Sequence, residues 1–77
     1  MATALQSPYA SGEIYYDNQK NYGVNAYFNW GHHYFSSMRD FLLHVERSQK
    51  RGSYKLVEIT DENYTELVQL GVFAHVG

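Results

Sequence analysis

The segment GEIYYDNQKNYGVNAYFNW, residues 12–30, decides the fold because two of its parts alternate apolar and polar side chains. Ile14 and Tyr16 alternate with polar neighbours in the first part, and Val24, Ala26 and Phe28 do so in the second. A period of two is typical of half-buried strands. The asparagine-rich stretch NQKNY between the two parts favours a loop of about four to five residues. We therefore predict a β-hairpin.

The apolar pattern changes to a helical period between about His33 and Lys50. Its apolar residues fall on one face of a helix: Tyr34, Met38, Phe41, Leu42 and Val45. They span about 100° of the helix surface, which is typical of an amphipathic helix packed on a core. Basic residues near the end of this segment and Gly52 just beyond it are common stop signals. We predict one long helix that packs on one face of the sheet.

The C-terminal part predicts two strands with a short helix between them. Residues 54–59, YKLVEI, indicate an inner strand because they are apolar on both faces. Thr60 or Asp61 is expected to cap the short helix, and Gly71 is expected to end it. VFAHV, residues 72–76, would form a closing strand.

These segments together predict an α+β fold with the order ββαβαβ and a small, mainly antiparallel sheet. Residues 1–11 carry no periodicity, so we expect a flexible N-terminal arm. Residues 12–77 would then form a single domain.

The composition predicts a soluble cytoplasmic protein. The 77 residues contain no cysteine, which fits a reducing compartment and excludes disulfides and thiolate metal ligands. The N-terminal stretch lacks the basic start and the apolar run of a secretory signal. No stretch approaches the about 20 apolar residues of a membrane span, so we expect no membrane association.

The histidines are the first candidates for a metal site. His33 and His44 would share a face of the predicted helix but stand about 16 Å apart along its axis, too far for one ion. Neighbouring His32 and His33 would point about 100° apart. Asp40 and His44 form an i, i+4 pair near Ser36, but no nucleophile elbow or oxyanion loop accompanies them. We predict no metal, no cofactor and no catalytic residue, and hence no enzyme.

Charge is unevenly distributed along the chain, although the formal net charge is only −2. Basic residues cluster around the end of the predicted helix: Arg39, Arg47, Lys50, Arg51 and Lys55. This cluster supports an alternative function, direct nucleic-acid binding. The negative net charge argues against it, because the chain lacks the strong positive field of most nucleic-acid binders.

The face of the hairpin turned away from the helix is the best candidate for a protein-binding surface. Tyrosine rings provide contact area at low entropic cost, and asparagine amides adapt their hydrogen bonds. Strand tyrosines are also common without any binding role, because tyrosine favours strands. Acidic residues beyond the basic cluster could meet a basic partner. The predicted partner-binding residues are Tyr15, Tyr22, Asn25, Tyr27, Asn29, Asp61, Glu62 and Glu66.

In size, lack of cysteine, charge and ββαβαβ order, the chain resembles small phage-encoded inhibitors, including anti-CRISPR proteins. The hairpin GEIYYDNQKNYGVNAYFNW and the helix HHYFSSMRDFLLHVERSQK carry this resemblance. The resemblance implies a stoichiometric binder that blocks a host protein surface or its nucleic-acid channel. We therefore predict a small non-enzymatic protein-binding module, and an exposed edge strand would also permit a homodimer.

Overall fold

The computed structural model describes residues 7–73, which form one four-stranded sheet and two helices. The elements are β1 (Glu13–Gln19), β2 (Gly23–Phe28), β3 (Gly31–Phe35), α1 (Met38–Ser48), β4 (Lys55–Glu58) and α2 (Tyr64–Gln69). Within these residues neither helix has the length and apolarity needed to cross a lipid bilayer.

The predicted α+β class is confirmed, but the details of the sheet differ. The strands lie in the order β3-β2-β1-β4. The pairs β1–β2 and β2–β3 are antiparallel, whereas β4 pairs with β1 in parallel. The sheet is therefore mixed instead of mainly antiparallel, and the order of elements is βββαβα.

The predicted hairpin is present as β1 and β2. Tyr15 lies opposite Tyr27, so the alternation in the sequence is the alternation between the two faces of the sheet. The loop is shorter than expected and consists of residues 20–22. It is closed by a 2.8 Å hydrogen bond from the backbone N–H of Tyr22 to the carbonyl oxygen of Gln19.

The prediction of a helix beginning near His33 is wrong, because residues 31–35 form the third strand. Asn29 and Trp30 make a tight turn, after which Gly31 pairs with Phe28 and the chain runs back along β2. Tyr34, which the periodicity placed on the buried face of the helix, is 53% exposed on β3.

Helix α1 is consequently short, with 11 residues. Ser37 caps its N-terminus, since its Oγ accepts a hydrogen bond from the backbone N–H of Asp40 at 3.1 Å. Phe41 and Val45 are buried, as the helical period predicted, whereas Leu42 is 42% exposed.

The first core lies between α1 and one face of the sheet. Its buried residues are Ile14, Val24, Ala26, Phe28, Phe35, Phe41 and Val45. Phe41 has no exposed surface. Full burial of such a side chain stabilises a protein by about 1.5–3 kcal/mol, so Phe41 fixes α1 against the sheet.

A second core covers part of the opposite face, where α2 and residues 7–12 pack. Tyr9, Tyr15, Leu67 and Val72 are buried in it. The hydroxyl of Tyr9 donates a 2.7 Å hydrogen bond to the carbonyl oxygen of Val72, and that of Tyr15 donates a 2.6 Å bond to Pro8. Residues 7–11, assigned from the sequence to a flexible arm, thus bring Tyr9 into a core, while residues 1–6 lie outside the described residues.

Among residues 7–73, strand β4 lies at an edge of the sheet, so the prediction of an inner strand is wrong for this part of the chain. There it pairs only with β1, with Leu56 beside Ile14, and Leu56 is 37% exposed. The sequence cannot distinguish these cases locally, because a strand that packs partly on both faces is apolar on both faces wherever it lies in the sheet.

Helix α2 matches the predicted short helix but is capped differently. The residue before its first turn is Asn63, which makes no side-chain bond to the helix, while Thr60 caps the turn that precedes it. The Thr60 hydroxyl oxygen accepts the backbone N–H of Asn63 at 3.3 Å, and the backbone N–H of Thr60 donates to the Asn63 side chain at 2.8 Å. Gly71 ends the helix as predicted, with a φ of 84°.

The chain leaves α2 through a Schellman motif. The N–H of Gly71 donates to Val68, and that of Val72 donates to Leu67, both at 3.1 Å. Leu67 and Val72 both lie in the second core, so the motif also makes an apolar contact. Val72 and Phe73 form a turn instead of the start of the predicted strand, and residues 74–76 of that strand lie outside the described residues.

We predict that Gly23→Ala destabilises the fold more than Gly71→Ala. Both glycines have a positive φ, 97° and 84°, which costs an alanine about 1–2 kcal/mol. At Gly23 an added Cβ would also lie 2.5 Å from the backbone oxygen of Phe35, whereas the space at Gly71 is open. Urea unfolding of both variants would measure the difference, and equal losses of stability would contradict the predicted clash with β3.

We also predict that the protein loses stability at alkaline pH through Tyr9. Burial, and then the nearby phenols of Tyr15 and Tyr27, raise the pKa of Tyr9 from 10.0 to about 12. As pH rises, the unfolded chain therefore loses this proton first. The corresponding stability is intact below about pH 10 and is lost as pH rises through about 12.

Urea unfolding at several pH values should show a smaller alkaline loss for Tyr9→Phe than for the wild type. Below pH 10 this variant should be less stable by about 0.5–1.5 kcal/mol, because it lacks the hydrogen bond to Val72. Tyr22→Phe is the control, since Tyr22 is 74% exposed. An unchanged alkaline slope in Tyr9→Phe would disprove the role of Tyr9.

Candidate functional site

A pocket of about 350 Å³ opens on the side of the sheet that carries α2. We call it the aromatic pocket; it is lined by Asp17, Tyr27, Ile59, Tyr64, Val68 and Phe73. Three of these side chains are aromatic and two are aliphatic, and Asp17 is the only charged one. Binding sites commonly combine apolar walls with a few polar groups that orient the ligand.

Sheet geometry places the first two residues of the pocket. Asp17 follows Tyr15 by two positions on β1, so both side chains point to the α2 side of the sheet. Tyr27 lies directly opposite Tyr15 on β2 and points to the same side. The second core covers Tyr15 but leaves Asp17 and Tyr27 only half-buried.

Helix α2 and the turn after it supply most of the remaining wall. Tyr64 and Val68 are four residues apart and therefore lie on the same side of the helix. The Schellman motif then directs Phe73 back towards them. Ile59 enters from the end of β4, where its backbone N–H donates to the carbonyl oxygen of Tyr16 at 2.8 Å.

The three aromatic rings form one connected group. The ring centroids of Tyr27 and Phe73 are 4.8 Å apart with the planes at 75°, which is an edge-to-face contact. Those of Phe73 and Tyr64 are 5.7 Å apart with the planes at 28°. Tyr64 is 53% exposed, so this group of rings can be reached from solvent.

The electrostatic environment of the pocket is negative. Burial raises the pKa of the Tyr27 phenol, and the Asp17 carboxylate and the Tyr64 phenol raise it further. A phenol is neutral near pH 7 even without this shift, so Tyr27 serves as a hydrogen-bonding group. The Asp17 carboxylate accepts one 3.1 Å hydrogen bond, from the Gln19 amide. A carboxylate has about four acceptor positions, so others remain for a ligand.

The predicted protein-binding face of the hairpin is only partly exposed. Its tyrosines and Asn25 do point away from α1, as the alternation predicted. The expected exposure of Tyr15 is wrong, because only 5% of it is accessible. The Tyr9 ring packs edge-on against it, with centroids 5.4 Å apart. Tyr27 is half-buried and lines the aromatic pocket.

The other predicted partner-binding residues lie at several places around the sheet. Tyr22 is exposed at the hairpin tip, where its carbonyl oxygen accepts a 2.6 Å hydrogen bond from the Tyr34 hydroxyl. The Asn25 amide oxygen lies 3.2 Å from Nε2 of His32. Asn29 is exposed in the turn between β2 and β3. Further along the chain, the turn before α2 and α2 itself hold three exposed acids: Asp61, Glu62 and Glu66.

Sequence reasoning identified Tyr27 but missed the other residues of the pocket. In the sequence Tyr64, Leu67 and Val68 share one face of the predicted short helix, a pattern that favours a core-facing side. In the structure Leu67 faces the core, whereas Val68 is 48% exposed. No local pattern indicates that α2 and Asp17 meet, because they lie far apart in the sequence.

The histidines adopt a different arrangement from the one predicted. His33 lies on β3 instead of a helix, so its ring stacks on that of His44 with centroids 5.7 Å apart and planes at 9°. The expected separation of about 16 Å is wrong for this reason. Asp40 accepts a 2.5 Å hydrogen bond from the Ser36 hydroxyl. Between residues 7 and 73, no three His, Cys, Asp or Glu side chains are grouped to hold a metal ion.

The basic cluster is exposed and divided between the two ends of α1. Arg47 lies in the last turn of the helix, and Lys50, Arg51 and Lys55 follow it before or at the start of β4. Arg39 lies in the first turn, about 12 Å away along the helix axis. Four of the five cations thus share one end of α1.

Trp30 belongs to neither the aromatic pocket nor the basic cluster. Its ring stacks on Phe28 at 4.7 Å and 8°, and it is 64% exposed. Phe28 belongs to the first core, so this stack lies on the α1 side of the sheet.

The aromatic pocket offers a concave surface with apolar walls, one carboxylate and two phenolic hydroxyls. This chemistry suits a positively charged group that also has a flat or apolar surface. Comparisons of the chain with protein-family models, with curated proteins and with solved structures found no match.

Proposed function

We propose that the protein is a small non-enzymatic protein-binding module that uses the aromatic pocket and the outer side of α2. The observation that carries this proposal is the exposure of large apolar side chains on and just after this helix. Tyr64 and Val68 share one side of α2 and are 53% and 48% exposed, whereas Leu70, which is 53% exposed, points to another side. Apolar side chains grouped in this way mark interaction sites, whereas single exposed ones need no explanation.

The pocket beside these side chains gives the surface a shape that a partner could fill. Interface hot spots are often single anchor side chains that enter a pocket and are shielded by neighbouring contacts. Tyr64 and Val68 belong both to the pocket lining and to the exposed side of α2. An anchor in the pocket would therefore bring the rest of its own surface against the helix.

Part of the predicted protein-binding surface is retained in this proposal. Tyr27 contributes to the pocket, and Asp61, Glu62 and Glu66 contribute exposed negative charge on the segment that carries α2. Such charges accelerate the approach of a basic partner. Tyr15 is no longer included, because it is buried.

The ionisation of the pocket supports binding over nucleophilic catalysis. Near pH 7 the Tyr27 phenol is protonated as an ordinary phenol is, and burial and Asp17 raise its pKa further. A neutral phenol donates and accepts hydrogen bonds but is a poor nucleophile. Stoichiometric inhibition of a host protein, as implied by the resemblance to phage-encoded inhibitors, would be one form of such binding.

We predict that Val68→Lys abolishes capture of the partner from a lysate of the cells in which this chain acts. The new positive charge would lie where apolar groups of a basic partner are expected to pack, and Val68 is 48% exposed, so the fold should persist. Leu42→Lys is the matched control, since Leu42 is a 42% exposed residue of α1. Mass spectrometry of the retained proteins would give the readout, with circular dichroism to show folding.

The expected result is a retained protein that both the wild type and Leu42→Lys capture and Val68→Lys does not. If Val68→Lys captures the same protein as the wild type, the interface lies elsewhere. If both variants fail while remaining folded, the effect is not specific to α2.

The alternative function, nucleic-acid binding, is supported by the exposed cations at the end of α1. For this function we expect affinity for mixed-sequence DNA or RNA that falls steeply with salt and with Arg47→Ala or Arg51→Ala. Fluorescence anisotropy at about 50 mM salt would measure it. Absence of binding under these conditions would eliminate the alternative.

A further inference from the structure

We infer that the aromatic pocket holds a guanidinium group, supplied by an arginine side chain of the protein partner. That the arginine comes from a protein partner rests on the proposed function. The preference for a planar organic cation follows from the residues of the pocket.

The rings of the pocket attract a cation. Phe73 lies between Tyr27 and Tyr64, with centroid distances of 4.8 and 5.7 Å. A cation is attracted to an aromatic face when it lies within about 6 Å of the ring centroid. Since the three rings are this close together, one cation in the pocket can lie near more than one of them.

Asp17 provides the opposite charge. Among the described residues its carboxylate is the only ionic group that lines the pocket, and the hydrogen bond from the Gln19 amide brings no compensating charge. A ligand without a positive charge would remove water from this carboxylate and leave it without a counterion, which costs free energy. An apolar side chain is therefore a poorer occupant than a cation.

Arginine fits these features better than lysine does. Its guanidinium is flat, stacks on aromatic rings and forms two parallel hydrogen bonds to a carboxylate. Lysine has a compact ammonium that holds its water more strongly. The aliphatic part of the arginine side chain can lie along Ile59 and Val68.

The size and surroundings of the pocket also suit one basic side chain. Its volume of about 350 Å³ is near the lower end for ligand sites, which range from about 300 to 1,000 Å³. From residue 56 onward the chain has acids but no lysine or arginine. The segment that carries α2 therefore favours a partner whose arginine lies within a basic surface.

The test uses the full chain, labelled with ¹⁵N, and two small probes that differ in charge. N-acetylarginine methylamide carries the guanidinium, and N-acetylcitrulline methylamide has nearly the same shape without the charge. In an NMR titration the arginine probe should shift the amides of Asp17, Tyr27, Tyr64 and Phe73 and saturate on the millimolar scale. The citrulline probe should bind about tenfold more weakly.

Matched variants separate the pocket from general electrostatics. Asp17→Asn should weaken binding of the arginine probe about tenfold, whereas Asp61→Asn, which removes the same charge from an exposed residue outside the lining, should change it less than about twofold. Tyr64→Phe keeps the aromatic ring and should bind as the wild type does. Tyr64→Leu removes the ring and should bind several times more weakly.

The inference fails if the two probes bind equally, if no saturable shift occurs, or if Asp61→Asn weakens binding as much as Asp17→Asn. If N-acetyltrimethyllysine methylamide binds more tightly than the arginine probe, the inferred guanidinium is wrong and the ligand is a quaternary ammonium group. If the arginine probe does not bind but capture of the partner still depends on Val68, this inference alone is overturned. If the probe binds but capture does not depend on Val68, the proposed interface is overturned and the pocket remains a cation site.

Discussion

The parallel pairing of β4 with β1 is the constraint on which the rest of the structure depends. Strand β3 runs in the same direction as β1, because two antiparallel pairings separate them. The chain must therefore cross the sheet before it can begin β4, and a helix is the usual connection. Helix α1 makes this crossing on one face, and α2 packs on the other after β4 has ended. Strand β1 lies between them and supplies Ile14 to one core and Tyr15 to the other.

Local patterns predicted the elements in which buried side chains recur at a regular spacing along the chain. The period of two identified the β1–β2 hairpin, and the period of 3.6 identified the buried positions Phe41 and Val45. The third strand was missed because the turn before it has no glycine at its central positions, and because Tyr34 happens to fall in helical register with Met38. Ser37 followed three residues later by Asp40 was a capping signal that would have placed the helix correctly.

The candidate site was only partly predictable, because it is assembled from distant segments. The alternation identified Tyr27 as a residue of the face opposite α1. Whether such a strand residue is buried, however, depends on which segments from elsewhere in the sequence pack over it. The hydroxyls of Tyr9 and Tyr15 bond to backbone oxygens, which fixes residues 7–12 and the turn after α2 against the sheet. With only 6 residues, α2 covers Tyr15 but not the neighbouring positions. The pocket is the space that this incomplete cover leaves beside Asp17.

The position of Trp30 separates the two sides of the molecule spectroscopically. It is the only tryptophan of the chain, and it stacks on Phe28 of the first core, away from α2. Its emission therefore reports the environment of the α1 side, whereas far-ultraviolet circular dichroism averages over both helices and the sheet. If denaturation curves from the two signals coincide, the two cores melt as one cooperative unit. If they separate, the side that carries α2 opens as an independent unit of the fold.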